Sequence, residues 1–348
     1  ITGTAAATSG GTLTGVSVAI QDTTTGQYWS GTGFTQSSAT YVPVTSGASS
    51  WSLSLAAANL TTGHSYTVTA QATDSYANSG TSPSATFSYN TSAPTLTLTS
   101  SGPNVYASGT TVLFKQGGSG SFTISASDPL GISSTKFPAA PSGWTKTIGT
   151  NSATYRLTTA KSSTTLKNVI ATDTAGNSVS ENIAINLDSG IKVTGVTLAN
   201  GGVANIPGTN DAVTITFSEP LNATTLCSSW TDGSLQSLTN ATVTWSDNGS
   251  NDTFTTASTS CSGGGAFGKV SSGANYIPAG GSAAFTNSTV TWNPSNKTLI
   301  IKLGTLVSGS VQSAAAGKPG YTPNSGIIDV VGNSLSTSTF TSLTVSGF

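Results

Sequence analysis

The sequence predicts an all-β chain built as three tandem antiparallel β-sandwiches, the third enlarged by a disulfide-tied insertion. Three observations lead there. Apolar residues recur on alternate positions in short runs, as in Val16, Val18 and Ile20 or Val213, Ile215 and Phe217, which is the period of a strand with one buried face. Gly occurs 40 times in 348 residues, and roughly a third of the chain is Ser or Thr, a composition suited to pleated surfaces and tight turns. An Asp-led turn ending in Asn recurs at Asp74–Asn78, Asp173–Asn177 and Asp329–Asn333. Each copy follows a strand-like run, so the repeat divides the chain into sandwiches at 1–91, 92–190 and 191–348.

The elements follow in order. In the first sandwich, Val16, Val18 and Ile20 lead through the turn Thr23–Gly26 into Tyr28 and Trp29. Trp51, Leu53 and Leu55 alternate next, then Tyr66, Val68, Ala70 and Ala72, ending at Asp74. Asn90–Pro94 is a short linker, and Pro94 biases Ala93 toward extended backbone, limiting the freedom between neighbours. The second sandwich starts at Leu96 and Leu98 and continues through Phe122, Ile124 and Ala126. It breaks at Asp128-Pro129-Leu130-Gly131 and draws core residues from Trp144, Tyr155 and Leu157. Its closing hairpin spans Ile170–Leu187, with Val179, Ile183, Ile185 and Leu187 in phase. The third carries Val213, Ile215 and Phe217 into Ser218-Glu219-Pro220-Leu221, then Val243 and Trp245. A hairpin follows, with Val290–Trp292 and Leu299–Leu303 flanking the turn Asn293–Lys297. A last strand through Phe340, Leu343 and Val345 is expected to close the sheet, and the terminal segment Thr339–Phe348 could add a strand to the next subunit.

Charge is scarce. Only 7% of residues are charged and the net charge is −1, against a usual charged fraction of about 25%. Arg156 is the one arginine, so no basic patch offers itself to nucleic acid. No apolar stretch approaches a membrane span. The chain opens at Ile1 in a strand-like run and contains no Met, which reads as a mature or excised segment of a longer precursor. So few charges leave little repulsion between copies, which permits close self-association.

Cys227 and Cys261 are the only cysteines. They are expected to form a disulfide worth about 3–4 kcal/mol, tying down a polar, Gly-rich insertion around 227–275. The alternative is a pair of buried free thiols. A disulfide suits an oxidising, extracytoplasmic setting. Metal binding by two thiols with a lone, distant His64 is not expected.

These residues carry a resemblance. Ala171-Thr172-Asp173-Thr174-Ala175-Gly176-Asn177, and more loosely Ala72–Asn78, resemble the hairpin of bacterial Ig-like repeats in large cell-surface proteins. The third sandwich is similar to another bacterial Ig-like type through Ile215-Thr216-Phe217-Ser218-Glu219-Pro220-Leu221, Thr298–Gly304 and the Asp-x-x-Gly-Asn turn at Asp329. The resemblance covers almost the whole chain and implies extracellular stalks, adhesins or surface-layer subunits. Some such repeats bind calcium through linker and turn acids, which makes Asp74, Asp173, Asp188 and Asp329 the candidate ligands here. Calcium takes six to eight oxygens, yet the chain has 12 acids in all and Asn90 stands where the first linker would carry one. The simpler expectation is no cofactor, with Asp74, Asp173 and Asp329 bonding to the amides of their own turns.

Catalytic chemistry finds little footing. His64 precedes a strand in Thr61-Thr62-Gly63-His64-Ser65 and reads as a solvated loop residue. The two glutamates, Glu181 and Glu219, fall in different sandwiches, and Glu219 reads as a strand-end residue beside Pro220. Glu181 is in phase with Val179 and Ile183, and a five-residue turn would set Lys167 diagonal to it. That predicts a buried Lys167–Glu181 pair at the rim of the second sandwich. An isopeptide cross-link there is disfavoured, because Asn182 and Asn186 are out of phase with the core. Sequons such as Asn59, Asn222 and Asn296 occur at about the frequency a Ser/Thr-rich chain gives by chance. Trp29 with Tyr28 and Phe34 could stack on a sugar, although a core anchor explains a tryptophan more simply.

The expected function is therefore non-enzymatic: a rod or assembly subunit of a prokaryotic surface layer, filament or stalk, located outside the cell and associating with its own neighbours. The alternative is an adhesin or carbohydrate-binding module whose sandwich-end loops hold a glycan or host-surface ligand.

Overall fold

In the computed structural model, which describes residues 1–7 and 10–348, the chain is all-β. Among the described residues the helical turns are short 3-10 segments at Ala57–Asn59, Ala223–Thr225 and Ser262–Gly264. Among the described residues no helix is long and apolar enough to cross a membrane, which says nothing of β-barrels. Buried apolar side chains fall into three separate clusters along the chain.

The first cluster forms on the long antiparallel pair Leu13–Asp22 and His64–Asp74. Val16, Val18, Ile20, Tyr66 and Val68 face inward, as period-2 patterning requires. Strands Tyr28–Trp29, Phe34–Gln36, Val42–Pro43, Ser79–Thr81 and Ala85–Tyr89 extend this sheet. A two-stranded sheet, Thr2–Thr4 with Ser50–Ser52, brings Trp51 to the same core. Gly3 is needed there, because a Cβ on it would lie 2.3 Å from the Trp51 ring.

In the second unit, a four-stranded sheet (Thr95–Ser101, Ser121–Ser127, Ser152–Leu157, Trp144–Gly149) and a five-stranded one share a core. The five-stranded sheet runs Val105–Ser108, Thr111–Phe114, Ser178–Leu187, Thr164–Asp173 and Ile132–Lys136, with one parallel pairing, Thr111–Phe114 beside Ser178–Leu187. Phe122 stacks on Tyr155 at 5.0 Å, and Trp144 meets Phe122 and Phe114 edge-on, the offset and T-shaped contacts that aromatic quadrupoles favour.

The third unit uses one continuous ten-stranded sheet. It folds over its core until the first strand, Val193–Ala199, meets the last, Phe340–Thr341. Trp245, Trp292, Phe217, Phe254, Phe285 and Tyr321 are fully buried inside. The Cys227–Cys261 disulfide is formed, with a Cα separation of 5.0 Å. The stretch it closes is more structured than its polar composition suggested. Strands Gln236–Ser246 and Thr253–Ala257 run within the sheet and bury Val243, Trp245 and Phe254.

A last strand does close the sheet, but it is only Phe340–Thr341, paired with Gly320–Thr322, and the residues beyond it pack on their own unit rather than standing free to join a neighbour. Phe348 is buried against Trp245 and Tyr276, Ser346 bridges to Gly317, and its hydroxyl accepts from the Leu198 amide. The segment belongs to its own core. Leu343 and Val345, expected to be buried by alternation, are exposed, because the chain passes through turns here rather than along a strand.

Candidate functional site

The three Asp-led turns share a local geometry. In each, Oδ1 of the aspartate accepts from the amides two and four residues on: Tyr76 and Asn78 for Asp74, Ala175 and Asn177 for Asp173, Val331 and Asn333 for Asp329. This is the side-chain-to-backbone bonding that gives Asp its place in turns. The copies differ at Oδ2. Asn78 Nδ2 donates to Asp74 Oδ2 at 3.1 Å, and Asn177 Nδ2 donates to Asp173 Oδ2 at 2.8 Å. In the third copy, Asn333 Nδ2 donates to Asp188 Oδ1 at 2.9 Å, while its side chain stays near enough to Asp329 to oppose the rise of that carboxyl. Asp329 Oδ2 is left buried without a hydrogen-bond partner among the described residues.

That difference sits at a joint. Asp188 follows strand Ser178–Leu187 and leads into the third unit. Its Oδ1 also accepts from the Gly190 amide at 2.7 Å, while its Oδ2 has no partner among the described residues. Glu219 follows strand Ala212–Phe217, fixed by Pro220, and its buried Oε2 is likewise unpartnered. One carboxylate oxygen from each of Asp188, Glu219 and Asp329 lies within 4.8 Å of the others. Asp329 is 0% exposed and Asp188 9%.

Burial pushes the Glu219 carboxyl up to about 8, with the adjoining Asp188 carboxylate and the Asp329 charge adding to the effect and Lys297 opposing it. Burial also raises Asp329, assisted by the Asp188 charge and resisted by bonds from Asn333 and Val331. The Glu219 carboxyl, which keeps its proton at neutral pH, is hydrogen-bonded to Asp188, while Asp329 Oδ2 has no donor among the described residues. Such a group is costly unless a proton or a cation enters it.

The first joint has the same framework with a different occupant. Asn90 stands after strand Ala85–Tyr89, Asp128 leads into Pro129 after strand Ser121–Ser127, and Asp173 opens the turn. Asn90 Nδ2 donates to Asp173 Oδ2 at 2.9 Å and lies 3.3 Å from both Asp128 oxygens. Asn177 Nδ2 donates to the Asn90 carbonyl at 2.8 Å. Desolvation works to raise Asp173, but the Asn177 side chain and the amides of Asn177, Ala175 and Gly176 outweigh it and hold the carboxyl below its usual range. An amide fills this joint, and the residues here do not suit a cation.

The second joint is also tied outside the carboxylates. Asn104 Nδ2 donates to the Val331 carbonyl at 3.0 Å, and Lys115 Nζ donates to the Gly332 carbonyl at 2.7 Å. Beside these lies a cleft of about 370 Å³, with Tyr106, Thr111 and Leu113 on one wall and Glu219, Pro220 and Lys297 on the other.

Of the remaining expectations, the Lys167–Glu181 pair is corrected. A bulge between Leu166 and Val169, with Asn168 at φ 57°, inserts residues that an ungapped reading of the strand does not contain. Leu166 and Val169 both point inward, so Lys167 is exposed, while Glu181 sits half-buried opposite Val169. His64 is not a solvated loop residue, because its Nδ1 lies 2.7 Å from Asp22 Oδ2. Trp29 is buried and packs on Phe34 at 5.3 Å, leaving no open ring face for a sugar platform. Asp74 is satisfied within its own turn and meets no partner acid among the described residues. Glu219 is the residue that sequence reasoning assigned to a strand end alone. The signal for it was positional, since Asp128-Pro129-Leu130 and Glu219-Pro220-Leu221 end corresponding strands.

No protein-family model and no curated protein matches the chain. Among solved structures it is similar to the I-band fragment I67–I69 of titin, at 10% identity over 94% of this chain and 86% of that one, with a TM-score of 0.28. An E-to-A variant of the same three-Ig titin fragment matches at 12% identity, covering 95% and 87%, with a TM-score of 0.28. Dimeric latent PorU from Porphyromonas gingivalis matches at 12% identity over 87% of this chain and 30% of that one, with a TM-score of 0.19.

Proposed function

We propose that the chain is a non-enzymatic, extracellular rod segment of a prokaryotic surface layer, filament or stalk, whose work is to hold its units at fixed spacing. The observation that carries this reading is the construction of the joints. At each one, the closing turn of a unit is hydrogen-bonded to residues of the unit before it: Asn177 to Asn90 at the first, Asn333 to Asp188 and Asn104 and Lys115 to the turn at the second. Linkers joined in this way resist swinging, whereas domains meeting through flexible linkers move relative to one another. The disulfide is consistent with an oxidising compartment. Sparse charge favours packing between copies.

Small-angle scattering of the purified chain, with electron microscopy of the native assembly, tests the reading. A single extended conformation and an ordered lattice or filament are expected. A broad ensemble of bent forms, or saturable binding of a glycan by isolated monomer, would favour the adhesin reading instead.

A further inference from the structure

We propose that the first unit is an open sandwich that receives a β-strand from a partner protein, an extended and uncharged segment with aliphatic side chains at alternate positions. The incoming strand lies along the free flank of Thr2–Thr4, in the groove between that flank and strand Ala85–Tyr89. The inference goes beyond the rod reading and holds whether or not the chain polymerises.

The other two units show what fills this place. In the second, strand Ser121–Ser127 has a neighbour on each side, Ser152–Leu157 on one and Thr95–Ser101, antiparallel, on the other. In the third, Ala212–Phe217 lies in the same way between Thr298–Lys302 and Val193–Ala199. Thr2–Thr4 holds the corresponding position in the first unit. Its partner Ser50–Ser52 precedes the turn-bearing strand His64–Asp74, as Ser152–Leu157 precedes Thr164–Asp173. Among the described residues it has that one neighbour and none on the other flank.

The open flank is a hydrogen-bonding edge. Ile1 exchanges both backbone bonds with Leu53, and the Ala5 amide donates to the Ser49 carbonyl. Pairing in an antiparallel ladder alternates along the strand, so the amides and carbonyls of Thr2 and Thr4 point away from Ser50–Ser52. The apolar surface beside them is short of cover. Counted back from the turn aspartate, Ala70 and Ala72 occupy the positions of Val169 and Ala171. Val169 and Ala171 are 0% exposed, whereas Ala70 and Ala72 are only half-buried, as are Ile1 and Phe87. Hollows of about 480 and 350 Å³ lie here and share Thr4, Trp51 and Ala70 in their walls.

The chemistry of the occupant follows from these walls. Asp74 is the one charged side chain along them among the described residues, and its own turn takes up both of its oxygens. A charge on the incoming strand would be desolvated with nothing to pair with. The first strands of the other units carry aliphatic residues at alternate positions, Leu96 and Leu98 or Val196 and Leu198, and pack them on their cores. Strand addition of this kind draws affinity from the backbone bonds and specificity from the alternate side chains.

The test titrates the full chain with a synthetic peptide, Ala93–Ser101 of its own sequence blocked at both ends, read by calorimetry and amide hydrogen exchange. One peptide is expected to bind per chain, with exchange at Thr2 and Thr4 slowed by roughly ten-fold or more. The same peptide carrying Leu96→Lys and Leu98→Lys should not bind. In the chain, Thr4→Pro removes an amide on the open flank and leaves the bonds to Ser50–Ser52 in place. It should weaken binding by roughly ten-fold, the worth of one hydrogen bond at the upper end of its usual range. Ala85→Lys, at an exposed position on the opposite wall, is the second variant should Thr4→Pro fold poorly. Failure of the peptide to bind, equal binding of the lysine peptide, or binding unchanged in both variants would overturn the proposal. So would faster exchange at Thr95–Ser101 with Thr2 and Thr4 unaffected, because the peptide would then be displacing its own strand in the second unit. Protection of Thr2 and Thr4 that rises with chain concentration in the absence of peptide would make a second copy the donor and overturn the assignment to a separate partner.

Discussion

Asp22 and His64 show how one contact changes the reading of a residue. Burial works to raise the Asp22 carboxyl, but the bond to His64, the amides of Thr24 and Thr25 and the His64 charge outweigh it and hold the group below its usual range. A carboxylate whose folded pKa is depressed contributes stability that is fully present above its unfolded pKa of ~3.9 and is lost as pH falls through the folded value. His64→Ala should therefore melt lower than wild type at pH 5, with the gap closing as both are taken to pH 2. A gap that stays constant across that range would show that His64 acts through packing alone. The pair was not legible in the sequence because its members are 42 residues apart. They meet only because strands Leu13–Asp22 and His64–Asp74 align in antiparallel register, Asp22 opposite Tyr66.

At the scale of elements, alternation gave the strand interiors and missed what interrupts them. Val213, Ile215 and Phe217 are buried in phase, as are Val16, Val18 and Ile20. At Lys167–Asn168 the phase breaks within a strand, since a bulge is set by the partner's register and leaves no periodic trace. The three turns were legible as turns, because Asp and Asn at fixed spacing bond to the nearby backbone. The Asn333 amide also bonds to Asp188, 145 residues away, a contact that no local pattern announces. The C-terminal segment departs from a strand because Leu343 and Val345 are exposed while Phe340, Ser342 and Phe348 carry its packing. Phe348→Ala should destabilise the third unit by about 3–5 kcal/mol, the usual cost of removing a buried aromatic ring. Chemical denaturation followed by Trp fluorescence checks this, and a loss under 1 kcal/mol would mean that the segment is dispensable. The disulfide stabilises a different set of elements. Cys227→Ala with Cys261→Ala should cost about 3–4 kcal/mol by releasing the loop in the unfolded chain, read as a lower denaturation midpoint for the third unit.

At the scale of the molecule, the question is where copies would meet. If copies do meet, the scarcity of charged side chains leaves sheet edges and small apolar patches as the features a partner could recognise. Strand Thr305–Gly309 pairs with Ser282–Asn293 along one side and is exposed at every residue, Val307 at 58% and Leu306 at 37%. Proteins commonly protect such an edge with lysine, proline or a covering loop. This strand contains neither lysine nor proline, and its backbone groups are positioned to pair with another strand. If copies associate through it, Val307→Lys should block edge-to-edge pairing by placing a solvated cation where a neighbouring strand would lie. The melting temperature should be unchanged, because the side chain leaves no core contact behind. Sedimentation velocity over a concentration series reads the outcome: association in wild type, a monomer in the variant. Equal association in both would move the contact to another face and leave Thr305–Gly309 an exposed edge without a part in assembly.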